Sequence, residues 1–378
     1  MISSNKGGFE IMINWINETL EKVDKKLSRT SVIYKDFIPS SIDENGKFTT
    51  IYEKSPAGWT NGFWGGLMWL MYTKTNKDCY LEAAKLNEKM LDKAFEYTET
   101  LDHDNGFRWE ITSGRSYEHT GDKDSRKRLM LAANMLVGRY NPLGEYLVSW
   151  SQKDRQGWAI IDCMMNLPLL YKASEISEYE RFRDIAIKHA DKTMKHHIRP
   201  DGSSNHIVVY DTKTGEYVES LGGQGMFADS SWSRGQAWAI YGFALSYKHT
   251  KNQEYIDTAK KVAHYFIANV SITDYIPKTD FRSPDEPDKR DTSAGLIAAA
   301  GMMEIAEHVP EYEKDIYVKH AYKLVKAIVE KYADWTEDYD GIIKNGMIKY
   351  ESPSPTYLPY GDYYLADALY RLKEYSEK

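Results

Sequence analysis

The sequence feature that most constrains this chain is an alternation between two kinds of helix. Apolar residues recur every three or four positions along most of the sequence, which is the period of an α-helix. One kind of helix, first seen near 61–73, is apolar on nearly every side and must be buried all round. The other kind, first seen near 9–28, carries Ile16, Leu20 and Val23 on one stripe with Glu and Lys opposite. Such a stripe is typical of an outer helix with one face against a core.

Six helices of each kind alternate along the chain. The buried kind is predicted near 61–73, 106–119, 159–173, 234–249, 292–307 and 361–374. The amphipathic kind is predicted near 9–28, 78–98, 124–139, 178–197, 253–270 and 312–333. Inner helices that are apolar all round fit a closed ring better than an open solenoid, which would leave one face of each helix wet. We therefore predict an all-α fold, an (α/α)6 barrel of six helical hairpins, as a single domain over 1–378.

The connections between these helices are unequal in length. The turns from a buried helix to the next amphipathic helix take a few residues, and four of them repeat a Tyr-x-x-Thr or Tyr-x-x-Ser signature. The return connections are long: 29–60, 140–158, 198–233, 271–291 and 334–360. Residues 206–210 and 215–218 are predicted to form a small β-hairpin. Long loops in a compact domain are usually functional, so we expect the site at the end where the inner helices begin.

Aromatic residues collect at that same end. The chain has 10 Trp, 29 Tyr and 11 Phe, and most of the Trp fall in the long loops or first helical turns. A single Trp beside an inner helix is more often core than sugar platform, but a cluster favours binding. The N-termini of the inner helices also converge there, and their partial positive charge favours an anionic ligand.

Two aspartates are candidates for chemistry. Asp162 is a lone carboxyl inside the apolar run 160–170, so desolvation is expected to raise its pKa and keep it protonated near neutral pH, as a general acid requires. The alternative role for Asp162 is capping of a helix start. Asp104 is open to the same interpretation as an N-cap, and Asp102 competes with it.

Three basic or imidazole side chains join these candidates. Arg234 opens an inner helix between two Trp, which suits bidentate capture of a carboxylate, with an internal ion pair as the alternative. His103 and His206 are each more often satisfied structural histidines than catalysts. Their position in the long loops keeps them as candidates.

Several functional classes are excluded. Lys+Arg 49 against Asp+Glu 56 gives 49 − 56 = −7, whereas nucleic-acid binders need a basic footprint. The sequence has no P-loop, dinucleotide fingerprint, His-Glu-x-x-His or Cys-x-x-Cys, so we predict no metal and no organic cofactor. The longest apolar stretch, 294–303, is far below the ~18 residues that span a bilayer. Two cysteines and no apolar signal-like segment in residues 1–8 lead us to expect a cytoplasmic protein without membrane association.

Six blocks of the sequence, in order, resemble one known family, the unsaturated glucuronyl hydrolases of glycoside hydrolase family 88. The blocks are Trp59-Thr-Asn-Gly-Phe-Trp64, His103-Asp104-x-Gly106-Phe107, Asp162-Cys-Met-Met-Asn-Leu-Pro-Leu-Leu170, Trp232-Ser-Arg-Gly-Gln-Ala-Trp238 with its continuation to Phe243, Arg290-Asp-Thr-Ser-Ala294 and Gly361-Asp-Tyr-Tyr364. The resemblance runs from about 59 to 374. The related unsaturated rhamnogalacturonyl hydrolases match these blocks less well. Asn105 and the segment 345–349 depart from the family pattern, which affects the expected pocket for the second sugar.

The resemblance implies an enzyme that acts on oligosaccharides made by polysaccharide lyases, which end in a 4,5-unsaturated uronic acid. It implies that Asp162 is the general acid/base, which protonates C4 of the vinyl ether while water adds at C5, and that Asp104 is the second carboxylate. Sugar platforms and uronate contacts are implied at Trp59, His103, Trp150, His206, Gln224, Trp232, Arg234 and Trp238.

Two other functional classes stay open from the residues. A sugar isomerase of the 2-epimerase kind would use the same barrel, with His103 and His206 as acid/base groups. A non-enzymatic helical-repeat scaffold would offer an open concave surface and give no role to a sequestered Asp162. The glycan, its linkage and its sulfation are not defined by the sequence, and either a monomer or a homodimer is compatible with it.

Overall fold

The computed structural model describes residues 6–377, with side chains from residue 9 onward. Most of the segment 1–8, on which the expectation of no signal segment rests, therefore lies outside the described residues. The α-helices of the described part are α1 (Lys6–Ile33), α2 (Gly62–Thr75), α3 (Asp78–Met90), α4 (Arg115–Thr120), α5 (Lys123–Val137), α6 (Leu167–Ser177), α7 (Glu180–His197), α8 (Ser233–Thr250), α9 (Gln253–Val270), α10 (Thr292–His308), α11 (Glu311–Tyr332) and α12 (Pro359–Ser376).

Even-numbered helices form an inner ring and odd-numbered helices an outer ring. A π-helical segment, Gly106–Gly114, runs directly into α4 and completes that inner helix. Inner helices contact their neighbours in order, and α12 packs against α2, so the ring closes. In α10 every residue from Thr292 to Ala306 is buried, whereas α9 buries only one stripe. The prediction of an (α/α)6 barrel with all-apolar inner helices is confirmed.

The third predicted inner helix begins later than expected. Residues 158–160 form a strand, residues 161–165 form a 3-10 turn, and α6 begins at Leu167. Pro168 explains the boundary, because a proline lacks an N–H and is favoured in the first turn of a helix. The apolar run beginning at 159 was ambiguous between helix and strand, since both can be wholly buried.

The predicted β-hairpin is present and gains a third strand. The short strands are β1 (Ser41–Ile42), β2 (Phe48–Thr49), β3 (Tyr140–Asn141), β4 (Tyr146–Leu147), β5 (Trp158–Ile160), β6 (Ile207–Tyr210) and β7 (Tyr217–Leu221). β6 pairs antiparallel with both β5 and β7. This sheet joins two of the long connections, so residues far apart in sequence meet at its end.

Short turns connect the inner helices to the outer helices at the opposite end. The left-handed residues Asn76, Gly121 and Lys251 each donate their N–H to the carbonyl of the tyrosine four residues earlier. This geometry explains the repeated Tyr-x-x-Thr signature. Within residues 6–377, no helix combines the length and apolarity needed to cross a bilayer.

Candidate active site

A cleft of about 250 Å³ lies at the long-loop end of the barrel. Its walls come from several long connections and from first turns of inner helices. Seven of the ten predicted site residues line it: Trp59, His103, Asp104, Trp150, Asp162, Gln224 and Arg234. The other three, His206, Trp232 and Trp238, are absent from the lining.

The three-stranded sheet places Asp162 beside His206. Asp162 lies in the 3-10 turn that follows β5, and the Ile161 N–H donates to the His206 carbonyl at 3.0 Å. The Asp162 side chain is buried, and its Oδ2 lies 3.4 Å from His206 Nε2. No residue of the described part donates a shorter hydrogen bond to the Asp162 carboxyl. Asp162 is therefore a sequestered carboxyl with one imidazole neighbour.

The proton position on His206 is set by its loop. The Gln224 N–H donates to His206 Nδ1 at 2.9 Å, so Nδ1 is an acceptor and the neutral ring carries its proton on Nε2, toward Asp162. Gly223 makes this approach possible with φ +59°, because a Cβ there would lie 2.0 Å from His206 Nδ1. The loop 222–225 thus selects one tautomer of His206.

The expectation that Asp162 has a raised pKa is wrong for the unliganded structure. Burial raises the pKa of Asp162. The contact with His206 and the positive charges of His103 and Arg234 lower it by more than burial raises it, so the net pKa is below the ordinary value. The sequence showed the apolar neighbours of Asp162. It did not show that groups from three other segments converge on this carboxyl.

Asp104 lies in a second carboxylate–imidazole pair. His103 Nδ1 donates to the Ser149 carbonyl at 2.9 Å, and His103 Nε2 lies 3.1 Å from Asp104 Oδ1. Burial lowers the pKa of His103, but the Asp104 and Asp102 carboxylates and the Ser149 carbonyl together outweigh burial and raise it to about 9. Burial and the charge of Asp102 raise the pKa of Asp104. Near neutral pH the pair therefore holds a proton, which the second nitrogen of His103 carries.

The N-cap interpretation of Asp104 and Asp102 is wrong. The π-helical segment begins after Asn105, which makes no side-chain cap. Asp102 Oδ1 instead accepts bonds from the Asp104 N–H at 3.1 Å and from the Arg108 guanidinium at 2.9 Å. Asp102, His103 and Asp104 are close enough together to hold a metal ion. Their donor atoms are already committed to Arg108, to Ser149 and to each other, which does not favour a metal.

Arg234 faces the cleft but is occupied by protein partners. Its Nη1 pairs with Asp291 Oδ2 at 2.5 Å and donates to the Met347 carbonyl at 2.6 Å, and its Nη2 donates to the Ile348 carbonyl at 2.5 Å. The alternative of an internal ion pair is therefore what the structure contains. A bidentate grip on a ligand carboxylate would require these bonds to break.

The sequence of this chain matches a known family. Residues 35–377 match the model of Glycosyl Hydrolase Family 88. The chain belongs to glycoside hydrolase family 88. It is therefore a glycoside hydrolase, and the resemblance found from the sequence blocks is confirmed.

Curated relatives and solved structures of this family align over nearly the whole chain. The unsaturated glucuronyl hydrolase of Bacillus sp. (strain GL1) is 33% identical over 351 residues, covering 90% of this chain and 92% of that protein. The unsaturated chondroitin disaccharide hydrolase of Streptococcus pneumoniae is 31% identical, covering 94% and 91%. A solved structure described as UGL with dGlcA-Glc-Rha-Glc is 31% identical, covers 93% and 96%, and superposes with a TM-score of 0.88.

Two of the sugar platforms implied by family 88 are not surfaces in this structure. Trp238 is 0% exposed and packs against Phe107 and Tyr364 in the inner ring. Trp232 is 2% exposed, with its ring 4.4 Å from that of His206. Trp232 immediately precedes α8 and Trp238 lies in its buried part, and neither ring lines the cleft. Their contact with a sugar stays a prediction.

Sequence analysis gave no site role to several residues that line the cleft. Tyr360, at the start of α12, lies with its ring 5.0 Å from Trp59, so the two rings form one aromatic wall. The remaining unassigned lining residues are Ser40, Thr60, Asp102, Ile160, Ile348, Leu358 and Pro359. Their signal was weak, because a long loop carries no periodicity that reveals which side chain turns inward.

A second cavity, of about 380 Å³, lies at the short-turn end among the C-termini of the inner helices. Its carboxylates are neutralised by strong bases. Glu110 pairs with Lys172 at 2.8 Å, and behind the lining Glu304 pairs with Arg371 at 2.9 Å. This cavity is larger than the cleft but holds none of the ten predicted site residues.

Proposed function

We propose that this family 88 hydrolase removes the 4,5-unsaturated uronic acid from the non-reducing end of lyase-generated oligosaccharides. The observation that carries the proposal is the sequestered Asp162 carboxyl, which has the His206 imidazole beside it and opens onto an aromatic cleft. The names of the relatives support the same reaction, since they are unsaturated glucuronyl and unsaturated chondroitin disaccharide hydrolases.

Asp162 is proposed as the proton donor. The C4=C5 bond is part of a vinyl ether, so transfer of a proton from Asp162 to C4 leaves positive charge at C5 shared with the ring oxygen. Water adds at C5 and loses a proton, which gives a hemiketal. The hemiketal opens and expels the remaining saccharide. This route differs from displacement at the anomeric carbon by two carboxyl groups.

The lowered pKa of Asp162 in the free protein is compatible with this role. The substrate carries its own carboxylate, and a like charge brought into a water-poor cleft raises the pKa of a neighbouring carboxyl. Binding of the uronate therefore favours protonation of Asp162 when the proton is needed. His206, fixed as the Nε2–H tautomer, orients the Asp162 oxygen without taking its proton.

Asp104 is proposed to stay ionised and to hold the ring. His103 places a positive charge 3.1 Å from Asp104 Oδ1, which favours the carboxylate form. A carboxylate accepts hydrogen bonds from sugar hydroxyls and therefore fixes the ring relative to Asp162. Trp59, Trp150 and Tyr360 offer the apolar faces on which sugar rings stack.

The isomerase alternative is not favoured by the histidines. An epimerase needs imidazoles that exchange protons with the substrate. His206 does not line the cleft, and its Nδ1 is engaged by Gln224. His103 is engaged by Ser149 and Asp104 on its two nitrogens.

The deciding experiment follows the ultraviolet absorbance of the conjugated C=C–carboxylate. The purified protein is incubated with unsaturated disaccharides from glycosaminoglycan lyases and, separately, with unsaturated rhamnogalacturonan disaccharides. We expect the absorbance of the glucuronyl series to disappear. Retention of absorbance in both series from pH 5 to pH 8 would contradict the proposal, and consumption of the second series alone would assign the rhamnogalacturonyl alternative.

We also propose, from the sequence, one catalytic domain over 1–378, a cytoplasmic location, and a monomer or homodimer. Cys79 and Cys163 are both free thiols, which suits a reducing compartment. Fractionation of cells and light scattering of the purified protein test the location and the oligomeric state.

A further inference from the structure

One buried amide connects the two carboxylates. Asn166 is 0% exposed and lies between the 3-10 turn that carries Asp162 and the start of α6. Its Nδ2 donates to Asp104 Oδ1 at 3.1 Å and to the Asp162 carbonyl at 3.3 Å. Its Oδ1 accepts the Phe107 N–H at 2.9 Å.

We propose that Asn166 is a positioning residue that fixes the separation of Asp104 and Asp162 and keeps Asp104 ionised. The proposal rests on the function proposed above, because it assigns roles within that reaction. Asn166 acts through Asp104 and the Asp162 backbone and is absent from the cleft lining.

The chemistry of an amide suits this position. A side-chain amide offers two donors and one acceptor, and Asn166 uses both donors and the acceptor. Aspartate at this position would keep the bond from Phe107 but lose both donated bonds. Gly106 allows the close approach, because a Cβ there would lie 2.6 Å from Asn166 Cα.

The contacts give the two carboxylates different environments. Asp104 Oδ1 receives the amide bond and faces His103 Nε2, and both favour the charged form. Asn166 touches Asp162 only at its main-chain carbonyl, so the Asp162 carboxyl stays free to take up and release a proton. Asn166 thus holds Asp104 through its charged carboxylate and Asp162 through its main-chain carbonyl.

The sharpest test is Asn166→Asp, measured as kcat and KM from pH 5 to pH 8. The new carboxyl oxygen would lie near Asp104 Oδ1, and two carboxylates at that distance resist joint ionisation. At pH 8 we expect kcat to fall about 100-fold with KM changed less than about threefold. At lower pH the new carboxyl is protonated and again donates a bond, so the ratio of variant to wild-type kcat should rise as pH falls.

A double-mutant cycle with Asp104→Asn provides a second test that does not need the aspartate variant to fold. Because Asn166 also holds the Asp162 carbonyl, part of its effect should remain without Asp104, but Asn166→Ser should lower kcat at least about threefold less in the Asp104→Asn background than in wild type. Losses that multiply would overturn the proposal.

Asn87→Asp is the matched control. Asn87 is also 0% exposed, and its Nδ2 donates to two loop carbonyls, but it lies on the outer helix α3. We expect this variant to lose stability while its kcat shows no new pH dependence. A pH-independent kcat ratio for Asn166→Asp, as for the control, would mean that Asn166 is only structural. If wild-type protein consumes no unsaturated disaccharide, the proposed function itself fails, which is a different result.

Discussion

The two ends of the barrel both hold buried carboxylates, but they neutralise them differently. At the short-turn end each carboxylate has a lysine or arginine partner: Lys172 lies 2.8 Å from Glu110, and Arg371 lies 2.9 Å from Glu304, which also faces His308 at 2.9 Å. At the long-loop end Asp162 and Asp104 face imidazoles at 3.4 Å and 3.1 Å. The cavity at the short-turn end is larger than the cleft, so cavity volume alone does not identify the proposed site.

The two kinds of partner differ in whether they can release a proton near neutral pH. A carboxylate paired with arginine or lysine stays charged at all ordinary pH values, because those bases do not lose their protons there. An imidazole, by contrast, can gain or lose a proton, so a carboxylate beside it does not face a permanently fixed charge. The arginines near the cleft pair with other carboxylates, Arg234 with Asp291 and Arg108 with Asp102, so neither forms a direct ion pair with Asp162 or Asp104.

The largest expected effect is a loss of kcat when a carboxyl is replaced at the long-loop end but not at the short-turn end. Asp162→Asn should lower kcat about 1000-fold or more, since it removes the proposed proton donor while preserving shape. The paired change at the other end, Glu110→Gln, should leave kcat within about twofold of wild type. The absorbance assay measures both, with circular dichroism as the check on folding. Wild-type turnover by Asp162→Asn would remove Asp162 as the acid.

The second prediction is that a substitution at the short-turn end lowers stability and leaves activity unchanged. Arg371→Met should lower the free energy of unfolding by about 3 kcal/mol, because Glu304 would keep only His308 and Lys248 as partners and Asp367 only the Tyr241 hydroxyl. Activity per folded molecule should stay unchanged. Urea unfolding measures the loss, and Lys373→Met on the same helix is the control: its exposed pair with Glu377 should cost less than about 1 kcal/mol.

The third prediction compares two glycines that both have positive φ. Gly223→Ala places a Cβ against His206 Nδ1 and disrupts the bond from Gln224, so kcat should fall about tenfold or more. Gly121, with φ +70° in a turn at the other end, has nothing within 4 Å of an added Cβ. Gly121→Ala should therefore cost about 1–2 kcal/mol of backbone strain without changing kcat. Equal kcat in the two variants would show that the His206 tautomer does not matter.

Much of this architecture was predictable from periodicity. The contrast between all-apolar α10 and one-sided α9 follows directly from their residues, as does the ring that such helices must form. The failures fall where the chain leaves helical periodicity. The run beginning at 159 is apolar whether it is strand or helix, and only its pairing with β6 decides between them.

The sequence predicted which residues line the site better than it predicted their ion pairs and pKa values. Asp162 stands out as a lone carboxyl in an apolar run, whereas the role of Asp104 was implied by the family resemblance, and both line the cleft. The partners of these groups come from distant segments, such as Asp291 for Arg234 and Gln224 for His206, and nothing local encodes them. The direction of the Asp162 pKa shift and the burial of Trp232 could therefore not be predicted from the sequence.

The last prediction is a pH dependence of stability that comes from His103 at the long-loop end. The folded pKa of His103 is about 9, above its ordinary value of 6.5. A raised folded pKa gives stability that is fully present below pH 6.5 and is lost as pH rises through about 9. The bases at the short-turn end, Lys172 and Arg371, have raised pKa values and do not titrate in this window. We expect a loss of up to about 3 kcal/mol between pH 6.5 and pH 9.5, measured by urea unfolding. In His103→Gln the loss should disappear, and an unchanged loss in that variant would place the titrating group elsewhere.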